Sequence, residues 1–138
     1  MKRAVMLAAA VFVVSSLLPP GIATARGRTY VSSNCTRFAI RPSQIVFTCA
    51  DGNFFMTQGE WTTWRRYRAV GSALFHSNDC TPSCAEGTFH RMRGRIVLRG
   101  REPCPDAHHR PVFTRATILL DGPLLGRLRY RAHLQCPI

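Results

Sequence analysis

Arginine at alternate positions is the pattern in this sequence with the clearest chemical meaning. Two stretches carry it, with guanidinium groups at Arg91, Arg93, Arg95, Arg99, Arg101, Arg127, Arg129 and Arg131. Residues two apart share one face of a β-strand, and the residues between these arginines include the apolar Met92, Ile96 and Leu128. The spacing therefore predicts two strands, each with one core face and one arginine face. The arginine faces are the candidate anion-binding site.

The overall charge points in the same direction. The chain has 19 Lys+Arg against 7 Asp+Glu, a formal net charge of +12, and Lys2 is its single lysine. A charge of this size favours anionic partners, here an anionic polymer, the cell envelope or nucleic acid. The alternative is a solvated strand face filled with the basic residue that a G+C-rich genome favours.

The N-terminus has the pattern of a secretory signal. Lys2 and Arg3 precede an uncharged stretch from Ala4 to Leu18, and Ala23-Thr24-Ala25 supplies the small residues that signal peptidase accepts. The sequence therefore predicts a signal peptide over residues 1–25 and a secreted, single-domain mature chain over residues 26–138. No later apolar run is long enough to predict a transmembrane segment.

Six cysteines follow the predicted signal, and an even number in an exported chain favours disulfides. Their spacing predicts the pairs Cys35–Cys49, Cys80–Cys84 and Cys104–Cys136. The first pair is expected to face across a hairpin centred on Pro42. The second closes a short turn, and the third is the pair that remains.

Two histidines beside the Cys80–Cys84 turn suggest other chemistry. A zinc site made of His76, Cys80, Cys84 and His90 is a rival to the second disulfide, but an oxidising compartment favours the disulfide, so no metal or cofactor is predicted. His76 and His90 could also act as acid and base on an RNA phosphate. A small secreted basic nuclease is therefore the alternative to a non-enzymatic binding protein.

Short apolar stretches separated by turn residues predict the elements that position these side chains. Asp51-Gly52, which favours a type I′ turn, and Asp121-Gly122-Pro123 are turn signals, and no segment after residue 25 keeps a helical period. The predicted strands are Phe38–Ile40, Ile45–Ala50, Asn53–Thr57, Glu60–Trp64, Ala69–His76, Thr88–Arg99, Pro111–Leu120 and Leu125–Gln135. We expect an all-β domain, a small disulfide-stapled antiparallel sandwich or barrel of about seven strands.

An aromatic cluster is interleaved with arginines between residues 61 and 68. Trp61, Trp64 and Tyr67 could stack bases or sit at a lipid interface, which would suit a membrane-active peptide. Core packing is the favoured interpretation. Strand alternation would place Trp61 and Trp64 on opposite faces, so that at least one is buried.

The middle half of the chain resembles small secreted actinobacterial proteins of unknown function. The residues that carry the resemblance are Cys49-Ala50-Asp51-Gly52-Asn53, Trp61-x2-Trp64 and Asn78-Asp79-Cys80-Thr81-Pro82-Ser83-Cys84-Ala85-Glu86-Gly87-Thr88-Phe89. The resemblance implies an exported bacterial protein. It brings no catalytic residues.

Overall fold

The computed structural model describes residues 27–106 and 108–138, and these residues form antiparallel β-structure without helix. The predicted signal peptide lies outside the described residues. The strands are β1 (Val31–Ser32), β2 (Phe38–Ala39), β3 (Ile45–Val46), β4 (Phe54–Trp64), β5 (Ala69–Asn78), β6 (Phe89–Pro103), β7 (Pro111–Leu124) and β8 (Arg127–His133). The predicted all-β class is confirmed.

Strands β3 to β8 form one six-stranded sheet in chain order, and β1 and β2 form a separate pair. The six-stranded sheet curves into a half-barrel. Within the described residues β3 and β8 do not pair with each other, so the barrel is not closed by hydrogen bonds between its edge strands. Every pairing in both sheets is antiparallel, as predicted.

The core lies on the concave side of the six-stranded sheet. Phe75 on β5, Ile96 on β6 and Ile118 on β7 are fully buried there, and neighbouring core residues follow at every second position. Burying one side chain of this size stabilises the fold by about 1.5–3 kcal/mol. The same alternation leaves the intervening residues of β6 and β8 on the other side of the sheet.

The segment before β2 closes one end of the half-barrel. The amide of Tyr30 donates to the carbonyl of Pro111, and the amide of Phe113 donates back to Tyr30, both at 2.9 Å. Three residues after Tyr30, the carbonyl of Ser33 accepts a hydrogen bond from the amide of Val46 at 2.9 Å. The N-terminal segment therefore joins β7 to β3 at the end where these strands do not reach each other directly.

Three disulfides join Cys35 to Cys49, Cys80 to Cys84, and Cys104 to Cys136, which are the pairs that the spacing predicts. The prediction of a hairpin centred on Pro42 is wrong. Strand β2 pairs with β1, and β3 pairs with β4. The reason is a tighter local turn, in which the amide of Ser33 donates to the carbonyl of Arg37 at 3.0 Å. The Cys35–Cys49 bridge therefore links two different hairpins.

Two turns differ from their predicted form. In the β3–β4 connection Gly52 adopts a φ of 66° and Asp51 accepts a hydrogen bond from the amide of Asn53, so this is an Asx-turn rather than a type I′ turn. The turn expected at Asp121-Gly122-Pro123 lies within β7 instead. The chain reverses at Leu125 and Gly126, whose φ values of 47° and 77° are those of a type I′ turn.

Both tryptophans of β4 pack against the core. Their rings meet edge to face with centroids 4.7 Å apart, and each indole N–H donates to a carbonyl, Trp61 to Pro42 and Trp64 to Thr29, at 2.8 Å. The expectation that they point to opposite faces is wrong, because the pairing of β4 with β5 shifts register between Trp61 and Thr63. A bulge of this kind inserts one residue and returns the second ring to the first face.

Candidate functional site: the arginine face

The convex side of the six-stranded sheet carries most of the predicted arginines. Cross-strand partners in an antiparallel sheet point to the same side, and the partners of the exposed β6 arginines continue the pattern on β7 and β8. We call this set the arginine face; its arginines are Arg91, Arg93, Arg95, Arg99, Arg115, Arg129 and Arg131. All of them are exposed.

Strand β7 joins the two predicted rows into one surface. Rows on β6 and β8 are two strand spacings apart, about 10 Å. Between them, Leu119 lies opposite both Arg95 and Arg129. One step along the sheet, Thr117 takes the same position between Val97 and Arg131.

Three basic side chains lie side by side across β6, β7 and β8 at the next position of the arginine face. Arg115 lies opposite Arg99 on one side and His133 on the other. Together with Arg131 and Thr117 these residues border an open depression of about 550 Å³. Guanidinium groups are well suited to hold phosphate, sulfate or carboxylate groups here, because their planar N–H donors match those oxygens.

Few acidic groups balance this charge. Among the described residues the ion pairs are His90 with Asp79 and Arg110 with Asp106, and neither includes a member of the arginine face. Arg93 does have a neutral partner, since its Nη2 donates to Oε1 of Gln58 at 2.8 Å.

Two carboxylates lie at the border of the arginine face. Asp121 borders a smaller depression together with Arg93 and Arg95. Glu60 lies opposite Ser72, which in turn lies opposite Arg95. Neither carboxylate is within 4.0 Å of an arginine in the part of the chain that the structure describes. The face is therefore strongly basic, with Glu60 on β4 and Asp121 on β7, to either side of the β6 arginines.

Arg101 and Arg127 do not join the other predicted arginines. Arg101 follows Gly100, which has a φ of 72°; it is half-buried, and its Nε donates to Oγ1 of Thr29 at 3.3 Å. Arg127 lies beyond an irregularity in the β7–β8 pairing, with its guanidinium carbon 5.9 Å from the ring centroid of Tyr130. Both arginines therefore contact other side chains of the protein, and six of the eight predicted arginines form the face.

Arg115 is the one arginine of this face that the sequence pattern did not predict. Strand β7 carries a single arginine, so it lacks the alternation that marks β6 and β8. Its importance comes from register, which sets Arg115 between Arg99 and His133. The signal available in the sequence was the alternation of Arg115 and Thr117 with the apolar residues Ala116 and Ile118.

An aromatic cluster lies at the end of the arginine face where β6 begins. The rings of Phe55 and His76 stack with centroids 4.5 Å apart, and the ring of Phe89 meets Phe55 at 5.5 Å. Nε2 of His76 is 2.9 Å from Oγ1 of Thr57. Burial, with a smaller contribution from the charge of Arg91, lowers the pKa of His76, which favours its neutral ring.

The two histidines considered for catalysis do not converge. His76 lies opposite Arg91, whereas His90 is the partner of Ser77, so the two rings point to opposite faces of the sheet. Nε2 of His90 lies 2.9 Å from Oδ2 of Asp79 instead. The arrangement lacks the acid–base pair that the nuclease hypothesis places on one phosphate.

The zinc alternative also fails on geometry. The sulfurs of Cys80 and Cys84 are bonded to each other, which removes two of the four candidate ligands. Within the described residues no group of three or more His, Cys, Asp or Glu side chains is placed to hold a metal ion.

Comparison with known proteins adds no relative. The sequence matches no protein-family model, no curated protein and no solved structure. The described part of the chain has no helix that is long and apolar enough to cross a membrane. Function must therefore be inferred from the chain's own residues, of which the arginine face is the strongest feature.

Proposed function

We propose that this chain is a secreted, disulfide-stabilised, non-enzymatic protein that binds a linear polyanion through the arginine face. The observation that carries the proposal is a set of seven exposed arginines on one side of one sheet without a carboxylate within ion-pair distance among the described residues. Candidate polyanions are an acidic cell-envelope polymer and nucleic acid.

The cross-strand arrangement favours a ligand over simple solvation. Like charges directly opposite each other destabilise a sheet by a few tenths of a kcal/mol, and Arg99 and Arg115 are such a pair. An anion lying between them removes this repulsion and gains charge-assisted hydrogen bonds. The depression beside Arg115 and His133 gives such an anion a place to sit.

Export is supported by the covalent framework. Three disulfides among six cysteines, with no free cysteine in the described residues, are typical of extracellular proteins. The resemblance to secreted actinobacterial proteins agrees with this location. An acidic polymer of the cell envelope would then be within reach of the mature chain.

Binding to immobilised heparin at several salt concentrations tests the proposal. The variant Arg93→Ala with Arg129→Ala removes one guanidinium from each row. The matched control is Arg37→Ala with Arg68→Ala, which removes the same charge from exposed positions outside the six-stranded sheet. We expect the face variant alone to bind weakly, with a shallower slope of log affinity against log salt because two charge contacts are lost.

Two results would overturn the proposal. One is heparin binding by the face variant that is unchanged in affinity and salt dependence. The other is an equal loss in both double variants, which would mean that total charge rather than the arginine face governs binding.

A further inference from the structure

Phe89 is an exposed aromatic ring in line with the arginines of β6. Phe89, Arg91, Arg93 and Arg95 are two residues apart on the same strand, and cross-strand pairing places Phe89 on the same side of the sheet as these arginines. Its exposed fraction is 44%, which is unusual for a phenylalanine in a sheet. The arginine face therefore ends in an apolar ring that water reaches.

The ring of Phe89 is supported by an aromatic neighbour on the same side of the sheet. Phe55 meets Phe89 edge to face, at an interplanar angle of 61°, and stacks on His76 at an angle of 8°. Thr57 fixes the far side of His76 through its hydroxyl group. This support limits the freedom of Phe89, so less conformational entropy is lost when a flat partner stacks on it.

We propose that the polyanion is a single-stranded nucleic acid, with a base stacked on Phe89 and the backbone phosphates on Arg91, Arg93 and Arg95. This inference rests on the proposed function and adds the ligand class. Proteins that bind single strands without sequence preference combine a basic track with aromatic rings on which bases stack. Both parts occur here on one face of one strand.

The exposed ring separates this ligand from the other polyanions. In a duplex the bases are already paired and stacked inside the helix, so a ring on a convex sheet reaches only the edges and the backbone. An acidic polysaccharide or a polyphosphate engages the arginines and has no aromatic face to place on Phe89. Single strands alone use the whole arrangement.

Two oligomers with equal phosphate number provide the test. Fluorescence anisotropy compares labelled dodecathymidylate with a labelled abasic deoxyribose dodecamer, which keeps the phosphates and lacks the bases. We expect the wild-type protein to bind the thymidylate about tenfold more tightly, the gain typical of one stacked base. We expect Phe89→Leu and Phe89→Ala to remove this difference while leaving the affinity for the abasic oligomer and for heparin unchanged.

Leu128→Ala is the matched control. Leu128 is an exposed apolar residue on β8, with an exposed fraction of 60%, and it lies on the side of the strand opposite Arg129 and Arg131. This variant should keep the tenfold preference. Equal wild-type affinity for the two oligomers, or a preference that survives in both Phe89 variants, would overturn the assignment of single strands. Loss of the preference in Leu128→Ala would also overturn it. If the wild-type protein binds neither the abasic oligomer nor heparin, the proposed polyanion function itself fails.

Discussion

Arg99 on β6 and Arg115 on β7 lie directly opposite each other, with both side chains on the convex face of the sheet. Replacing one member of this pair should separate stability from binding. We expect Arg115→Thr to raise the free energy of unfolding by about 0.2–1 kcal/mol at low salt, because it removes a like-charge contact and introduces a good strand former.

The same substitution should weaken heparin binding. Urea denaturation measures the first effect, and its size should shrink at high salt, where charges on the surface are screened. Arg37→Thr serves as the control, since Arg37 is exposed and lies outside the six-stranded sheet. A variant of Arg115 that is less stable than the wild type at low salt would contradict this prediction.

Gly94 on β6 should not tolerate a side chain. A Cβ atom at this position would lie 2.5 Å from the carbonyl oxygen of Leu119 and 2.9 Å from the Cα of Leu120. Because these are backbone atoms of β7, the strands must separate to admit it. We expect Gly94→Ala to cost about 1–3 kcal/mol of stability, measured by thermal or urea unfolding.

Gly27→Ala is the comparison for that experiment, because its nearest contact is an ordinary 3.5 Å approach to a guanidinium nitrogen of Arg101. It should leave stability almost unchanged. Equal stability of the two alanine variants would contradict the close packing of β6 on β7.

The three disulfides should differ in their contribution according to the length of chain that they enclose. The sequence separations are 32 for Cys104–Cys136, 14 for Cys35–Cys49 and 4 for Cys80–Cys84. The chain-entropy relation gives about 4, 3 and 2 kcal/mol in that order. Replacing each pair by alanines and measuring unfolding in urea checks the ranking, and the reverse order would contradict it.

Asp79 should make the stability of the fold depend on pH in the acidic range. The hydrogen bond with His90, together with those from the amides of Thr88 and Thr81, lowers the pKa of Asp79 from 3.8 to about 2. A carboxyl group whose pKa is lowered on folding stabilises the fold at pH values above its unfolded pKa. This contribution is lost as the pH falls from about 4 to about 2.

The variant Asp79→Asn isolates that contribution. The stability difference between wild type and variant should be largest above pH 4 and should shrink as the pH approaches 2. Urea unfolding at a series of pH values measures it. A difference that stays constant over this range would show that the carboxylate charge of Asp79 is not what stabilises the turn.

Local pattern was enough to predict the features that depend on one strand or one loop. The alternation in β6 and β8 predicted strands with one arginine face, and the short spacing of Cys80 and Cys84 predicted their bridge. Local pattern could not predict the features that depend on which strands pair and in which register. Arg115 joins the site only through the register of β7 between its two neighbours.

Small backbone irregularities account for the other differences. The register shift after Trp61 turns Trp64 to the same side, and no residue type in that stretch marks it. Arg101 continues the alternation in sequence, yet it is half-buried and its Nε donates to Thr29. The partner of Arg101 lies 72 residues away along the chain, and such contacts leave no trace in local periodicity.

One side of β6 faces the apolar core and the other faces water, and every second residue belongs to each side. Adding or deleting one residue between Arg91 and Arg99 would turn the guanidiniums beyond that point toward the apolar interior. Changes of two residues would keep both sides intact. Natural variants of this protein should therefore change the length of β6 between Arg91 and Arg99 by two residues, or by one residue where a β-bulge absorbs the change as it does in β4.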